Sequence, residues 1–338
     1  MMRIRTITAT LVAATVALFS LEQEANSEAE FVMNFATVAP DNTPWAKQLR
    51  GVEKRIEEES GGRIQVKLFL GGSLGSEIEC IQDVARGERI QGGGFSTGAM
   101  GEAMDIPILT MIELPYLFST NAQADAVLDE VLYQPTETAL SSKGFVLGGW
   151  AENGWRNFAT KGPASTKEDL SKFKMRAQEN PVHMDMYKML GVQAVAKPTS
   201  EVLPSLNTGI VDGFDNTALF SLAAGWIEPV THYTLSRHIY QPAAVVYSKK
   251  FVDSLPPDLQ KVVLGDPHAE SKRGRDAVRA LEGELLETIR SMGKQVVELS
   301  AEQTAAFKAE TRAVHKSFLA NHRDLIPIYK QVLAKLEG

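Results

Sequence analysis

The chain has 338 residues, 44% of them hydrophobic and 23% charged, with a formal net charge of −7 and a pI near 5.5. That composition describes a soluble globular protein, with length for about two domains. It excludes a dedicated nucleic-acid binder, which carries a basic footprint, because no Lys/Arg-rich block interrupts the acidic background.

Met1 to Arg5 supply two positive charges, Thr6 to Leu21 form an apolar run, and Ser27 and Ala29 offer small residues before a cut. This is the anatomy of a secretory signal peptide, and the run is shorter than the roughly 18 residues of a membrane span. "EFVMNFATV" predicts the first strand. The helix "DNTPWAKQLRGVEKRIEEES" follows, opened by Asp41 or Asn42 with a proline in its first turn. "GGRIQVKLFLGG" reads as the next strand and "SEIECIQDVARG" as the next helix, closed by Gly87. Cys80, the only cysteine, falls on that helix as a small buried hydrophobe.

Further strands are expected at "TMIELPYLF", "GFVLGGWAE", "RNFAT", "KMRA" and "QPAAVVYS". From Pro256 onward the chain reads as nearly all helical, with a short strand at "KQVVEL". Strands alternating with helices predict α/β construction with largely parallel sheets. No flexible linker, internal repeat or heptad array appears, so two lobes would have to be joined by elements crossing between them.

Catalytic and metal signals are sparse. Two segments match Gly-x-Ser-x-Gly: "GGSLG", with Ser73, and "GFSTG", with Ser96. They keep open a secreted serine hydrolase or esterase, although neither follows an HGGG-like oxyanion segment and strand-to-helix turns need glycine anyway. The six histidines form no His-x-x-x-His pair, and neither a Walker loop nor a Gly-x-Gly-x-x-Gly after a strand is found. No cofactor and no metal are implied.

Arginines at strand ends carry more information. In "SKFKMRAQENPV", Arg176 lies on the polar face where a strand gives way to a helix, and Arg156 lies in "ENGWRNFAT". Ligands of open α/β sheets collect beyond the carboxyl ends of strands, and a guanidinium there offers a carboxylate two parallel charge-assisted bonds. In "GIVDGFDNT" a strand from Ile210 to Phe214 leads to Asn216, an amide donor and acceptor. The alternative is that each arginine pairs with a surface acid and that Asn216 caps the next helix.

Several segments, in this order, resemble the DctP-like solute-binding proteins of tripartite ATP-independent periplasmic (TRAP) transporters. They are "SGGRIQVKLFLGGSLGSEIECIQDVARG", "IELPYLF", "WAENGWRNFATKGP", "EDLSKFKMRAQENPVHMDMYKMLGVQAVAKPTSEVL", "GIVDGFDN" and "SKKFVDSLPPDLQKVV". The resemblance implies a two-lobed α/β fold of the periplasmic-binding-protein kind, with discontinuous lobes, hinge strands and a long lobe-spanning helix. Its implied division is a signal peptide at 1–29, lobe I at 30–152 plus 242–281, and lobe II at 153–241 plus 282–338. By resemblance Arg176 clamps the substrate carboxylate, Arg156 and Asn216 support it, and Glu77 faces polar substrate groups. Thr199 stands where sugar-acid-binding relatives carry a phenylalanine, and Trp45 either stacks on the substrate or packs in the core. The implied function is a receptor without enzymatic chemistry, monomeric and in the periplasm of a Gram-negative bacterium. It would hand a small organic acid to the small and large subunits of a TRAP membrane permease.

Overall fold

The computed structural model describes residues 29–41 and 43–337; of the expected signal peptide only Ala29 falls among them. Nine strands form one mixed sheet: β1 (Phe31–Ala36), β2 (Ile64–Phe69), β3 (Gly92–Ser96), β4 (Phe145–Thr160), β5 (Met175–Ala177), β6 (Ala194–Ala196), β7 (Gly213–Asn216), β8 (His232–Ser248) and β9 (Gln295–Glu298). The order is β2-β1-β3-β8-β4-β7-β5-β6, with β9 paired to β8. Helices cover the faces, as the buried strands require.

The centre of the sheet departs from the expected parallel pattern. "GFVLGGWAE" and "RNFAT" are one strand of 16 residues, paired antiparallel with the 17-residue β8. Between the two segments Gly154, at φ 104°, helps the chain to pass a bulge. The register shifts between Glu152 and Gly154, opposite Pro242 and Gln241, leaving Asn153 between them. On one side of that bulge the long pair continues into β3, β1 and β2; on the other it continues into β7, β5 and β6. The sheet is parallel within these outer strands and where β9 joins β8; the central pair itself is antiparallel.

Other elements differ in ways with plain causes. "TMIELPYLF" is not a strand: Pro107 takes the first position of a helix, Pro107–Ile112, because its fixed φ suits a helix start. Thr43, not Asp41, caps helix Pro44–Glu59, its Oγ1 accepting from Ala46 N at 3.1 Å; Asn42 lies outside the described residues. Pro204 sits inside helix Thr199–Asn207 rather than in its first turn. Cys80 is buried, and that burial pushes its thiol pKa up to about 11.

The lobe-spanning helix runs in two pieces. Helix Pro267–Arg279 packs on β4 and on helix Pro44–Glu59; there Ser271 Oγ accepts from Trp150 N at 2.7 Å. Helix Glu282–Ser291 continues it against helix Ala218–Ala223 and β9. Among the described residues no helix is long and apolar enough to cross a membrane.

β3 is almost bare glycine because it threads between crowded neighbours. A Cβ on Gly93 would lie 2.5 Å from the Ala36 carbonyl oxygen, and one on Gly94 would lie 2.6 Å from Trp45 Nε1. Overpacking of this kind costs about 1–3 kcal/mol. Gly93→Ala should therefore lower the urea midpoint by a corresponding amount, with the slope of the transition unchanged.

Candidate functional site

A cavity opens beside the bulge, where strand ends from both halves of the sheet meet helix starts. Arg176 is the middle residue of β5, Arg156 lies on β4, and Asn216 ends β7. Glu77 and Thr199 begin helices Glu77–Arg86 and Thr199–Asn207, and Trp45 is the second residue of helix Pro44–Glu59. All six line this cavity. Helix starts carry partial positive charge, so their convergence favours an anion. The space between the walls is about 30 Å³. That is room for a water or two, so an organic ligand enters only when the walls part.

The two arginines differ in their partners. Arg156 is 1% exposed and uses four of its five N–H donors: Nε donates to Asp215 Oδ2 at 2.6 Å, Nη2 to the Asp215 carbonyl at 2.5 Å, and Nη1 to Gln178 Oε1 and Gln241 Oε1 at 3.0 and 2.7 Å. Burial alone would lower its pKa, but the Asp215 carboxylate outweighs it and raises it; the same pairing, against burial, holds Asp215 well below the usual carboxylate range. This charge is already neutralised.

Arg176 is 2% exposed and makes no ion pair among the described residues. Its Nε and Nη2 donate to the Lys197 carbonyl at 2.9 and 2.5 Å, and its guanidinium carbon lies 5.3 Å from the Trp226 ring centre. Burial first, and then the neighbouring Arg156, bring its pKa down to about 10. It stays charged at neutral pH. A buried ion without a counter-ion costs several kcal/mol, and a carboxylate entering the cavity would remove that penalty.

Asn216 does not cap the following helix; Thr217 does, accepting from Phe220 N at 3.2 Å, while Asn216 Oδ1 accepts from Thr217 N at 2.8 Å. Its Nδ2 is thereby turned outward from the cap. Glu77 accepts from Ser96 N and Ser96 Oγ at 2.7 and 3.0 Å and makes no ion pair among the described residues. Burial raises its pKa to about 7 against those bonds. Trp45 is buried, and its Nε1–H has no partner.

The sequence reading passed over Gln178, Gln241 and Asn153, which line the cavity, and the layer beneath it. Gln178 had a signal, since it lies two residues after Arg176 on the same strand face. Glu113, buried, accepts from Thr97 Oγ1, Gly98 N, Asn180 Nδ2 and Gln241 Nε2 and bonds His183 Nε2 at 2.8 Å. Asp215 accepts from Tyr187 Oη at 2.8 Å and meets His238 Nε2 at 3.3 Å. An acid inside the apolar run "TMIELPYLF" was the one available sign of this layer.

The esterase motifs resolve into structural roles. Ser73 lies exposed in a turn, and Ser96 binds Glu77 while accepting from Gln178 Nε2 at 3.1 Å. Among the described residues neither serine is hydrogen-bonded to a histidine, the partner of a Ser–His nucleophile. Among the described residues no group of three or more His, Cys, Asp or Glu side chains gathers that could hold a metal ion.

A charged cavity at strand ends, between two halves of a sheet joined by long shared strands, defines a solute-binding receptor of the two-lobed kind. The chain belongs to the bacterial extracellular solute-binding protein family 7, DctP, whose family model matches residues 35–322. It is 30% identical over 276 residues to a solute-binding protein of Verminephrobacter eiseniae, covering 81% of each chain. It is 27% identical over 313 residues to the C4-dicarboxylate-binding periplasmic protein DctP of Rhodobacter capsulatus, covering 92% of this chain and 93% of that protein. A TRAP periplasmic solute-binding protein of Sulfitobacter sp. NAS-14.1, solved with β-D-galacturonate, superposes with a TM-score of 0.84 at 26% identity, over 88% of this chain and 98% of that one. A counterpart from Pseudomonas putida F1, solved with D-glucuronate, gives 0.83 at 27% identity, over 90% and 97%. Proteins of this family bind small organic acids and work with TRAP permeases.

The two arginines should respond oppositely to removal. Arg156→Ala strips Asp215 of its buried partner and should cost about 3–5 kcal/mol of unfolding free energy. Arg176→Met removes an uncompensated charge and should leave the unliganded melting temperature unchanged or higher. Glu77 has its own signature. Its folded pKa is raised from 4.5 to about 7, so its contribution is fully present below about pH 4.5 and is lost as pH rises towards 7. Melting curves from pH 4.5 to 7.5 should show that loss in the wild type and a flatter profile in Glu77→Gln.

Proposed function

We propose that this protein is a periplasmic receptor that closes two lobes around the carboxylate of a hydroxylated organic monoacid and performs no reaction on it. Lobe I takes 30–152 plus 242–281 and lobe II takes 153–241 plus 282–338. The bulge at Asn153, opposite Gln241 and Pro242, supports a hinge at that division. Arg176 is the carboxylate anchor, and the observation that carries the reading is its burial without an acid partner. Arg156, held rigid by Asp215, lines the cavity as a fixed wall with one Nη2–H left to donate, and Asn216 contributes its amide. Closure creates contacts that exist only in the closed state, and this differential affinity drives it.

The far wall supports a monoacid with hydroxyl groups over a dicarboxylate. Glu77 makes no ion pair among the described residues, so a second ligand carboxylate there would meet a like charge, whereas a hydroxyl would find an acceptor. Trp45 Nε1–H, buried and unpartnered, is a donor for a ligand oxygen. Thr199 leaves a polar wall with room for a substituted ring or chain. The hexuronates bound by the structural relatives have this chemistry. Acting as a monomer, the closed receptor would deliver its ligand to the small and large subunits of a TRAP permease.

Thermal-shift titration tests the reading with D-glucuronate, D-galacturonate, D-galactonate, succinate and L-malate. At ligand 100-fold above its dissociation constant, binding adds about 2.7 kcal/mol to stability. The monoacids should raise the melting temperature and the diacids should not, and Arg176→Ala should abolish the response while folding normally. Full affinity in Arg176→Ala would remove the anchor; a response confined to succinate and malate would reverse the substrate class.

A further inference from the structure

The two C-terminal helices, Ala301–Asn321 and Ile326–Glu337, do not pack along each other. The first rests on helix Pro181–Met189 and the second on the turn Val127–Leu132. Between them runs a groove of about 1290 Å³, floored by segment 115–119. Leu117, Leu319, Ile326 and Leu336 give it an apolar lining, and Leu333, one of few large apolar side chains more than a third exposed, adds to it.

Its rim is basic. Lys308, Arg312, Lys316 and Arg323 all line the groove, all are exposed, and no side chain among them makes an ion pair or hydrogen bond among the described residues. Glu337 is the one acid among the described residues lining it. Lys308, Arg312 and Lys316 follow one another at spacing i, i+4 on a single helix face, where like charges repel and weaken the helix. Elsewhere the same chain pairs its surface charges at this spacing, as in Lys197–Glu201, Lys249–Asp253 and Lys272–Asp276. In a chain of net charge −7, three cations stacked without an acid are a local reversal.

The groove walls are tied in place. His315 bonds Tyr329 Oη through Nδ1 at 2.8 Å and the Pro115 carbonyl through Nε2 at 2.7 Å, joining both helices to the floor. Burial lowers the His315 pKa, favouring the neutral ring, which accepts at Nδ1 and donates at Nε2 as these partners require. A preformed apolar trough with a basic rim suits an amphipathic helix laid in a groove.

We propose that this groove docks an acidic amphipathic helix of the membrane permease, with Leu333 as apolar anchor and the Lys308–Arg312–Lys316 ladder as electrostatic guide. The groove is separate from the ligand cavity; the inference rests on the transport reading for the identity of the partner. Charge complementarity decides for an acidic segment, and steering of this kind weakens steeply with salt.

The test is binding of the full chain to nanodiscs holding the cognate small and large permease subunits, at 50 and 300 mM salt, beside empty nanodiscs containing phosphatidylglycerol. Expected are permease-dependent binding that weakens with salt, and at least a tenfold loss both in the triple variant Lys308→Glu, Arg312→Glu, Lys316→Glu and in Ala309→Trp, which fills the trough without changing charge. Both variants should keep the wild-type ligand affinity. Equal binding by wild type and variants would overturn the groove while leaving the transport reading intact. Equal wild-type binding to empty discs, lost in the charge variant, would assign the surface to lipid and overturn it too. Absence of wild-type binding to permease discs would bring down the transport reading and the groove with it.

Discussion

One uncompensated cation organises this molecule. Arg176 is buried on a short strand with a backbone carbonyl and an indole face for company, and no carboxylate comes to meet it. A fold tolerates such a charge only if the rest of the structure is stable enough to hold it, and the cost disappears when an anion arrives. Arg156, close enough to depress the Arg176 pKa, shows the opposite solution, with Asp215 beside it and two glutamine oxygens on Nη1. The pair differs in this: one guanidinium is a fixed part of the scaffold, and the other makes no ion pair among the described residues.

The sheet makes that arrangement mobile. β4 and β8 each run through both halves, so the halves share two continuous strands and cannot separate, yet the bulge at Asn153 breaks the ladder at the cavity. A second seam reaches across the same boundary. Glu113, from the chain before the bulge, takes hydrogen bonds from Asn180 and Gln241, which come after it, and pairs with His183. Gly98 permits this approach, since a Cβ there would lie 2.6 Å from Glu113 Oε2. The glycine and serine spacing of "GFSTG" therefore has a steric and hydrogen-bonding origin: Gly98 makes room for Glu113, and Ser96 links Glu77 to Gln178.

Much of this was legible in the residues and some was not, for physical reasons. Alternation in "KMRAQ" and the proline after it place Arg176 at a strand-to-helix junction, because side-chain period and proline's fixed φ are local properties. The neutralisation of Arg156 was not legible: Asp215 lies 59 residues away, and only the pairing of β4 with β7 brings them together. "TMIELPYLF" misled because its β-branched and aromatic content argues for a strand while Pro107, just upstream, decides for a helix. The two strands expected at "GFVLGGWAE" and "RNFAT" are one, because the residues between them, Gly154 included, pass a bulge without ending the strand. Helix and strand content is set locally; which charges are spent and which are spare is set by topology.

That distinction also settles how a chain of net charge −7 can capture an anion. Surface carboxylates are solvated, and salt screens them over about 10 Å. In the cavity the walls exclude water, helix starts turn partial positive charge inward, and Arg176 keeps its full charge at a pKa of about 10. Low local dielectric then makes one nearby guanidinium count for more than many distant acids. Glu77 fits the same logic: burial raises its pKa to about 7, so the far wall carries an acid while the near wall is positive. On the proposed reading, the polarity of the cavity suits a ligand charged at one end and merely polar at the other.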